Sequence, residues 1–481
     1  MAAKEFIVAI ELGSSKVVGV AGRKNIDGSI TVLAVVKEDS SSFIRKGIIY
    51  NINQTVQCIS NIVKKLSTAL KSEIAKVYVG VGGQSIRCMR NVIGKDLPSD
   101  TVVSQEIVDE IMEMNRNVIY PDQEILDAAT QEYKLDNDLQ IDPVGIQCKR
   151  LEGNFLNILW RKTFYRNLNK CFDSANVAIA EMYLAPLALA DSILTDAEKR
   201  SGCVLVDLGA DTTTVSVYYK NILRHLSVIP LGSSNVTRDL ASLQIDDAVA
   251  ENMKLRYGSA YTENNEIDST MMLSLDEDRS IEYRKFIDIV EGRVQEIIEN
   301  VWNQVPDEYS DKLLGGLIIT GGGSNMKNIV KAFRVYTHID KIRIAKTVTY
   351  NITSSNQDVM SNNGMMNTVL GLLAKGNMNC AGDETPENKD LFDGNKPAKP
   401  GPTTADLHAT PRTPSEVGKG VVMTEAEKER LRIAAEEAER QKAEEAARIE
   451  EEQNQKDKGV KSHVQKIKNF FENLIKADED E

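Results

Sequence analysis

Two stretches of this chain carry the same phrase. Residues 7–22 read IVAIELGSSKVVGVAG and residues 204–219 read VLVDLGADTTTVSVYY. Each is an apolar run, a carboxylate (Glu11, Asp207), a glycine two positions on (Gly13, Gly209), hydroxyls, and a second apolar run. β-Branched runs of this length, broken by glycine, predict two buried strands joined by a tight turn. Either hairpin alone is also what an ordinary hairpin with a helpful glycine looks like. Facing each other, two such turns would offer backbone N–H groups and hydroxyls to a polyphosphate from both sides. The carboxylates would repel phosphate directly, but they suit Mg²⁺ held through water, which then bridges to phosphate oxygens.

The rest of the chain narrows the setting. Its 481 residues allow two or three domains, and its net charge of −13 argues against a general nucleic-acid binder. Cys58, Cys88, Cys148, Cys171, Cys203 and Cys380 show no CxxC or Cys/His spacing, so neither zinc nor a disulfide framework is expected, and a reducing compartment is. No signal-peptide pattern or long apolar run is present, which predicts a cytosolic chain whose membrane contact, if any, is peripheral. Residues 1–375 alternate short strand-like runs with amphipathic helical patterns, an α/β signature. In QTVQCISNIVKKLSTAL, for instance, Val56, Ile59, Ile62, Val63, Leu66 and Leu70 share one face.

Two further motifs follow the hairpins. GGLIITGGGSNMKNI (315–329) runs a buried strand into Gly321, Gly322 and Gly323, leaving backbone bare for a flat purine. AVAENMKLRYGSA (248–260) sets Glu251 and Lys254 on one helix face, suited to a ribose hydroxyl and an adjacent polar atom. Alone, each signal is weak; the order and intervals are specific. This order resembles the actin, Hsp70 and sugar-kinase ATPase superfamily. Within it, KNILRHLSVIPLGSSNVTRDLA (220–241) and VYVGVGGQSIRCMRN (77–91) are similar to the FtsA family of bacterial cell-division proteins.

The resemblance implies an actin-like two-lobe ATPase fold with ribonuclease H-like duplicated lobes and a small inserted α+β domain of SHS2 type. It assigns 1–82, 166–200 and 351–376 to the first lobe, 83–165 to the insert, and 201–235 and 313–350 to the second lobe's core, with 236–312 as its outer subdomain. Carried over by position, Gly13, Ser14, Ser15 and Lys16 form the first phosphate loop, and Gly209, Thr212 and Thr213 the second. Glu251 and Lys254 meet the ribose and base edge, Gly321, Gly322, Gly323 and Ser324 back the adenosine, and Glu11 and Asp207 hold Mg²⁺ through water. ATP and Mg²⁺ are the implied cofactors. Gly371, in GMMNTVLGLLAKG (364–376), allows close helix packing at the interlobe hinge.

Three departures from the superfamily stand out. Glu11 replaces the usual Asp, Ala210 and Asp211 stand in a second loop that is usually Gly-Gly followed by hydroxyls, and Ala185 stands where hydrolysing relatives often carry Glu or Gln. Hydrolysis needs a positioned water and neutralised charge, so binding should survive these changes better than turnover, and no catalytic residue is assigned.

The tail is of another kind. Six of the twelve prolines fall within 386–414, so 377–423 is expected to be a disordered linker. Residues 424–458 are almost wholly Ala, Glu, Lys, Arg and Gln, predicting a charged, solvated helical spacer or a weak coiled coil. At 459–481, Val460, Val464, Ile467, Phe471, Leu474 and Ile475 share one face, with Phe470 at its edge and Lys466 and Lys468 toward the other. This is the pattern of an amphipathic helix on an anionic membrane surface, although the terminal Asp478, Glu479, Asp480 and Glu481 work against it.

The leading expectation is a structural adaptor: an ATP-binding, actin-like division protein that self-associates into filaments at the cytoplasmic face of the inner membrane. The family implies that it tethers the tubulin-like ring protein FtsZ, whose C-terminal peptide would dock on 236–312 near Arg284, Lys285 or Arg293, and that other division proteins dock on the insert. The rivals are a sugar-kinase-like phosphotransferase and a pilus-assembly relative of actin. Neither explains the basic amphipathic tail.

Overall fold

The computed structural model describes residues 5–98, 101–268 and 270–382. The linker beyond 382, the charged spacer 424–458 and the amphipathic segment 459–481 lie outside the described residues.

Lobe 1 opens with β1 (Ile7–Leu12), β2 (Lys16–Lys24), β3 (Ile30–Asp39), helix α1 (Ile52–Leu70) and β4 (Lys76–Val81). The inserted domain follows as β5 (Arg87–Asp96), α2 (Gln105–Arg116), β6 (Gln123–Leu135), β7 (Asp138–Gln140) and β8 (Arg150–Arg161). The chain returns to lobe 1 with α3 (Lys162–Ser174), β9 (Ala178–Leu184) and α4 (Ala185–Ile193). Lobe 2 comprises β10 (Cys203–Leu208), β11 (Thr213–Tyr219), β12 (Ile222–Ile229), α5 (Ser233–Ala241), α6 (Asp247–Tyr257), α7 (Tyr283–Trp302), β13 (Gly316–Thr320), α8 (Ile329–Thr337) and β14 (Ile342–Ile344). Strand β15 (Ile352–Thr353) and helix α9 (Asn367–Lys375) close lobe 1.

The duplication expected from the repeated phrase extends to the topology. Lobe 1 orders its sheet β9-β4-β1-β2-β3-β15 and lobe 2 orders its sheet β14-β13-β10-β11-β12. In both, an antiparallel meander of three strands is extended by a parallel strand beside the first one: β4 on β1, β13 on β10. Ile7–Ile10 and Cys203–Val206 are buried at every position, with both faces of each central strand packed into apolar core, so these runs are continuously apolar rather than alternating.

Local chemistry explains the element ends. The Asn51 side chain accepts from the Gln54 N–H to cap α1, and Lys71 in the left-handed region ends it. Cys58, Ile59, Ile62 and Leu66 are its buried apolar face. Helices α4 and α9 pack closely on each other. A Cβ at Gly371 would lie 2.6 Å from the Ala188 carbonyl oxygen, so only glycine permits this crossing. At the end of the pair, Asp191 accepts from Lys199 and Lys375, both at 2.5 Å. Burial alone would push the Asp191 carboxyl up, but these two ammonium groups hold it below the usual carboxylate range.

The insert has its own small core, with Ile111, Leu151 and Phe155 at its centre. It also touches lobe 2: Gln131 donates to the Leu223 carbonyl (2.8 Å), Arg224 pairs with Glu132 (3.1 Å), and Arg90 pairs with Glu308.

The expected linker boundary at 377 needs correction, since Asn377–Gly382 is bonded into lobe 1. The Asn377 and Met378 N–H groups donate to the Tyr78 hydroxyl (3.0 and 2.9 Å), and Cys380 exchanges backbone bonds with Phe6 (2.8 Å) and Ala75 (2.9 Å). The partners are remote in sequence, and the short polar stretch NMNCAG gives no local sign of them.

Candidate functional site

A cleft of about 950 Å³ separates the lobes, and the two equivalent hairpins face it. Their turns match bond for bond. The Gly13 N–H donates to the Lys16 carbonyl (3.1 Å) and the Gly209 N–H to the Thr212 carbonyl (2.9 Å). A Cβ on either glycine would lie 2.7 or 2.6 Å from that carbonyl oxygen, so close approach, not unusual φ, demands glycine here. Around the first turn, the Ser14 hydroxyl accepts from the Gly47 N–H (2.8 Å), which leaves its own proton to donate. Ser15 and Lys16 also line the cleft.

On the lobe 2 side Gly209, Thr212 and Thr214 line the cleft. Thr213 does not: it is buried, and its hydroxyl donates to the Leu231 carbonyl (2.9 Å). Its placement among the phosphate contacts is therefore corrected. Strand alternation sends Thr212 and Thr214 to one face and Thr213 to the other. Ser324 is corrected likewise. It is buried and donates to the Gly321 carbonyl (2.7 Å), tightening the glycine turn from behind, while Gly321, Gly322 and Gly323 stand at the cleft wall. Gly321 has φ +84°, and a Cβ there would lie 2.4 Å from Asp207 Oδ1, so this glycine leaves room for the carboxylate.

Glu11 and Asp207 both line the cleft. Burial, reinforced by the neighbouring Asp207 charge, pushes the Glu11 carboxyl up to about 7, and burial pushes Asp207 up to about 6. The Val369 N–H, in the first turn of α9, bonds to the Glu11 carboxylate and opposes that rise. Lys16 is pushed below the ordinary lysine range, first by burial and then by Lys37. A divalent cation would stabilise both anionic carboxylates, so the pair fits Mg²⁺. No group of three or more His, Cys, Asp or Glu that could hold a metal ion occurs among the described residues.

Glu251 and Lys254 lie together on α6 at the cleft wall. Lys254 Nζ donates to Glu251 (2.6 Å) and to the Thr237 hydroxyl (3.0 Å), which in turn donates to Glu251 (2.5 Å). Lys254 is buried and serves to aim Glu251, whose carboxylate keeps substantial exposure and can accept from a ribose hydroxyl. Thr237 was not legible as a site residue, since it lies in an ordinary helix pattern.

Asp211 does not line the cleft. Its Oδ1 accepts from Arg238 (2.6 Å) and its Oδ2 from the Lys46 backbone N–H (3.3 Å), a residue of lobe 1. Asp211 is thus a clasp between the lobes. Ala185, the first residue of α4, presents a methyl group to the cleft.

The three basic residues considered for peptide docking all lie on α7. Arg284 bonds Asp288 (3.1 Å) and Asn264 (2.8 Å), and Lys285 bonds Glu282 (3.4 Å). Arg293 is forked onto Asp239 (2.6 and 3.0 Å) and also bonds Glu296. It is therefore the least available of the three.

Comparison with known proteins agrees with this architecture. The family described as "Cell division protein FtsA" matches residues 204–371, and that described as "SHS2 domain inserted in FTSA" matches residues 83–159. The cell division protein FtsA of Porphyromonas gingivalis is 31% identical over 332 residues, covering 68% of this chain and 69% of that protein. FtsA of Neisseria meningitidis serogroup B is 31% identical over 336 residues, covering 68% of this chain and 81% of its own. Among solved structures, a PilM–PilN type IV pilus biogenesis complex aligns with a TM-score of 0.55 at 13% identity, over 77% of this chain and 98% of that one, a likeness of fold alone. With an actin-like two-lobed body and the insert at the matched position, the chain belongs to the FtsA family of cell division proteins.

Proposed function

We propose that this chain binds ATP with Mg²⁺ in its interlobe cleft, self-associates into filaments beneath the cytoplasmic face of the inner membrane, and tethers the FtsZ ring there. The observation that carries the reading is the pair of hairpins with matching turn hydrogen bonds that face one cleft. Gly13, Ser14, Ser15 and Lys16 would hold the phosphates from lobe 1, and Gly209 and Thr212 from lobe 2. Glu251 would take the ribose and the Gly321–Gly323 backbone the adenosine. Bound Mg²⁺, held near Glu11 and Asp207 through water, would neutralise phosphate charge. A ligand touching both lobes fixes the angle between them, and in a polymer that angle sets the fit of one copy on the next. Ala185 offers no acceptor to orient an attacking water, so occupancy and lobe angle carry the role more than turnover.

Residues 459–481 would lie on anionic lipid, with Val460, Val464, Ile467, Phe470, Phe471, Leu474 and Ile475 inserted and Lys466 and Lys468 at the headgroups. One such helix binds reversibly, and a filament presents many at once. The FtsZ peptide would meet the outer part of lobe 2, where Arg284 and Lys285 remain exposed on α7. Other division proteins would meet the insert.

The test is sedimentation with anionic vesicles, with and without ATP, and with and without residues 460–481. ATP-dependent pelleting that vanishes on the deletion is expected. Equal binding by the truncated chain refutes the anchor, and binding with no assembly under any nucleotide condition refutes the polymer.

A further inference from the structure

In a chain of net charge −13, one face of lobe 1 is basic. Helix α1 covers β2 and β3, and α3 packs beside it and on β9, with the Cys171 thiol reaching the Ile52 carbonyl at 3.9 Å. The hinge helices α4 and α9 pack on each other, and α9 also on β1 and β4. No Asp or Glu occurs in α1, and only Asp173 in α3. Lys64, Lys65, Arg161, Arg166 and Lys170 are exposed on the two helices and their ends. Lys65 pairs with Glu38. Beside the start of α1, Tyr50 is 70% exposed with the Arg45 guanidinium 4.4 Å from its ring centroid. An exposed amphipathic ring next to cations suits the headgroup layer of a bilayer.

The strap at the end of lobe 1 supplies the second observation. Ala381 bridges to Ile74, and the Gly382 N–H donates to the Glu73 carbonyl (3.0 Å). The chain that continues toward the amphipathic segment therefore departs at the C-terminal end of α1. Lipid held by that segment is tethered to the body through this edge.

We propose that the α1–α3 face is a second contact with anionic phospholipid, one that orients the body on the membrane while residues 459–481 provide the attachment. The proposal rests on the membrane reading given above. Nucleic acid uses the same cations, but an acidic chain that carries the amphipathic pattern at 459–481 favours lipid. A second copy of the same face would be repelled.

The test uses the full-length chain with K64Q, R166Q and K170Q combined, all at exposed positions, and vesicles of phosphatidylglycerol with phosphatidylcholine against phosphatidylcholine alone. Each cation near an anionic surface contributes about fivefold in affinity, so the triple variant should bind the anionic vesicles on the order of 100-fold more weakly. Its affinity for neutral vesicles should not change. A control carrying K312Q and K341Q, both exposed on lobe 2, should bind as the parent does. Parent-like affinity of the triple variant overturns the proposal, as does an equal loss in the control, or tighter binding of the parent to duplex DNA than to the anionic vesicles. Deleting 460–481 separates the two readings. If the truncated chain still binds as tightly as the full chain, the tail anchor fails. If truncation abolishes binding and the triple variant remains parent-like, the face alone fails.

Discussion

Asp211→Ala should loosen the lobes. The wild-type carboxylate joins Arg238 to the backbone of Lys46, and its own side chain is only 11% exposed. Removing it leaves the part-buried Lys46 N–H without an acceptor, at a cost of about 1 kcal/mol. The Arg238 side chain is 54% exposed and rehydrates readily, so loss of the ion pair adds only about 0.5 kcal/mol after solvent screening. The sum, about 1.5 kcal/mol, is roughly a tenfold shift toward the open arrangement. Hydrogen exchange of the segment around Lys46 should quicken by about that factor, with nucleotide dissociation faster in parallel. Asp211→Asn keeps an acceptor for the Lys46 N–H and should recover most of the effect. A double-mutant cycle with Arg238→Ala should show coupling of about 0.5 kcal/mol. If Asp211→Ala leaves exchange around Lys46 unchanged and the cycle is additive, the clasp does not hold the lobes and the reasoning is refuted.

Three other outcomes follow from the same geometry. Gly209→Ala forces a Cβ to within 2.6 Å of the Thr212 carbonyl oxygen; equilibrium titration with ATP should show affinity lost by about tenfold or more, since overpacking of about 1–3 kcal/mol displaces the turn itself. Gly371→Ala, with its Cβ 2.6 Å from the Ala188 carbonyl, should lower the thermal midpoint through about 1–3 kcal/mol of strain at the hinge, and an unchanged midpoint would mean the helices part freely. The third outcome concerns pH. Glu11 is raised from 4.5 to about 7, so the folded state binds its proton more tightly than the unfolded chain, and nucleotide-free stability should fall as pH rises between those values. Glu11→Gln should flatten that slope and stabilise the nucleotide-free protein above pH 7, by up to about 3 kcal/mol; denaturation midpoints against pH decide it, and a parent slope of opposite sign would refute the burial argument.

Much of the architecture was legible before any coordinates. The two hairpins, the glycine turn at 321–323, the paired Glu251 and Lys254 and the hinge glycine all depend on residue types at short spacing, and short spacing is what strand alternation, helix period and turn chemistry encode. That local code told how the chain makes two equivalent cleft-facing turns and why Gly13 and Gly209 must be glycine. It did not tell which remote backbone each polar group would meet. Asp211 finds an N–H 165 residues away, and Glu11, one methylene longer than the usual residue, meets the first turn of α9 through Val369. Thr213 was misplaced because its partner carbonyl, Leu231, comes from beyond the next strand. The strap at 377–382 reads as linker in the sequence because its partners Phe6, Ala75 and Tyr78 are far from it along the chain, Tyr78 by 299 residues from Asn377. The commitment of Arg293 to Asp239 appears only when α5 and α7 pack. Local patterning determined the strands, helices and turns, whereas packing decided which charges face the cleft and which join the lobes, because a hydrogen bond depends on where two distant pieces of backbone are brought together.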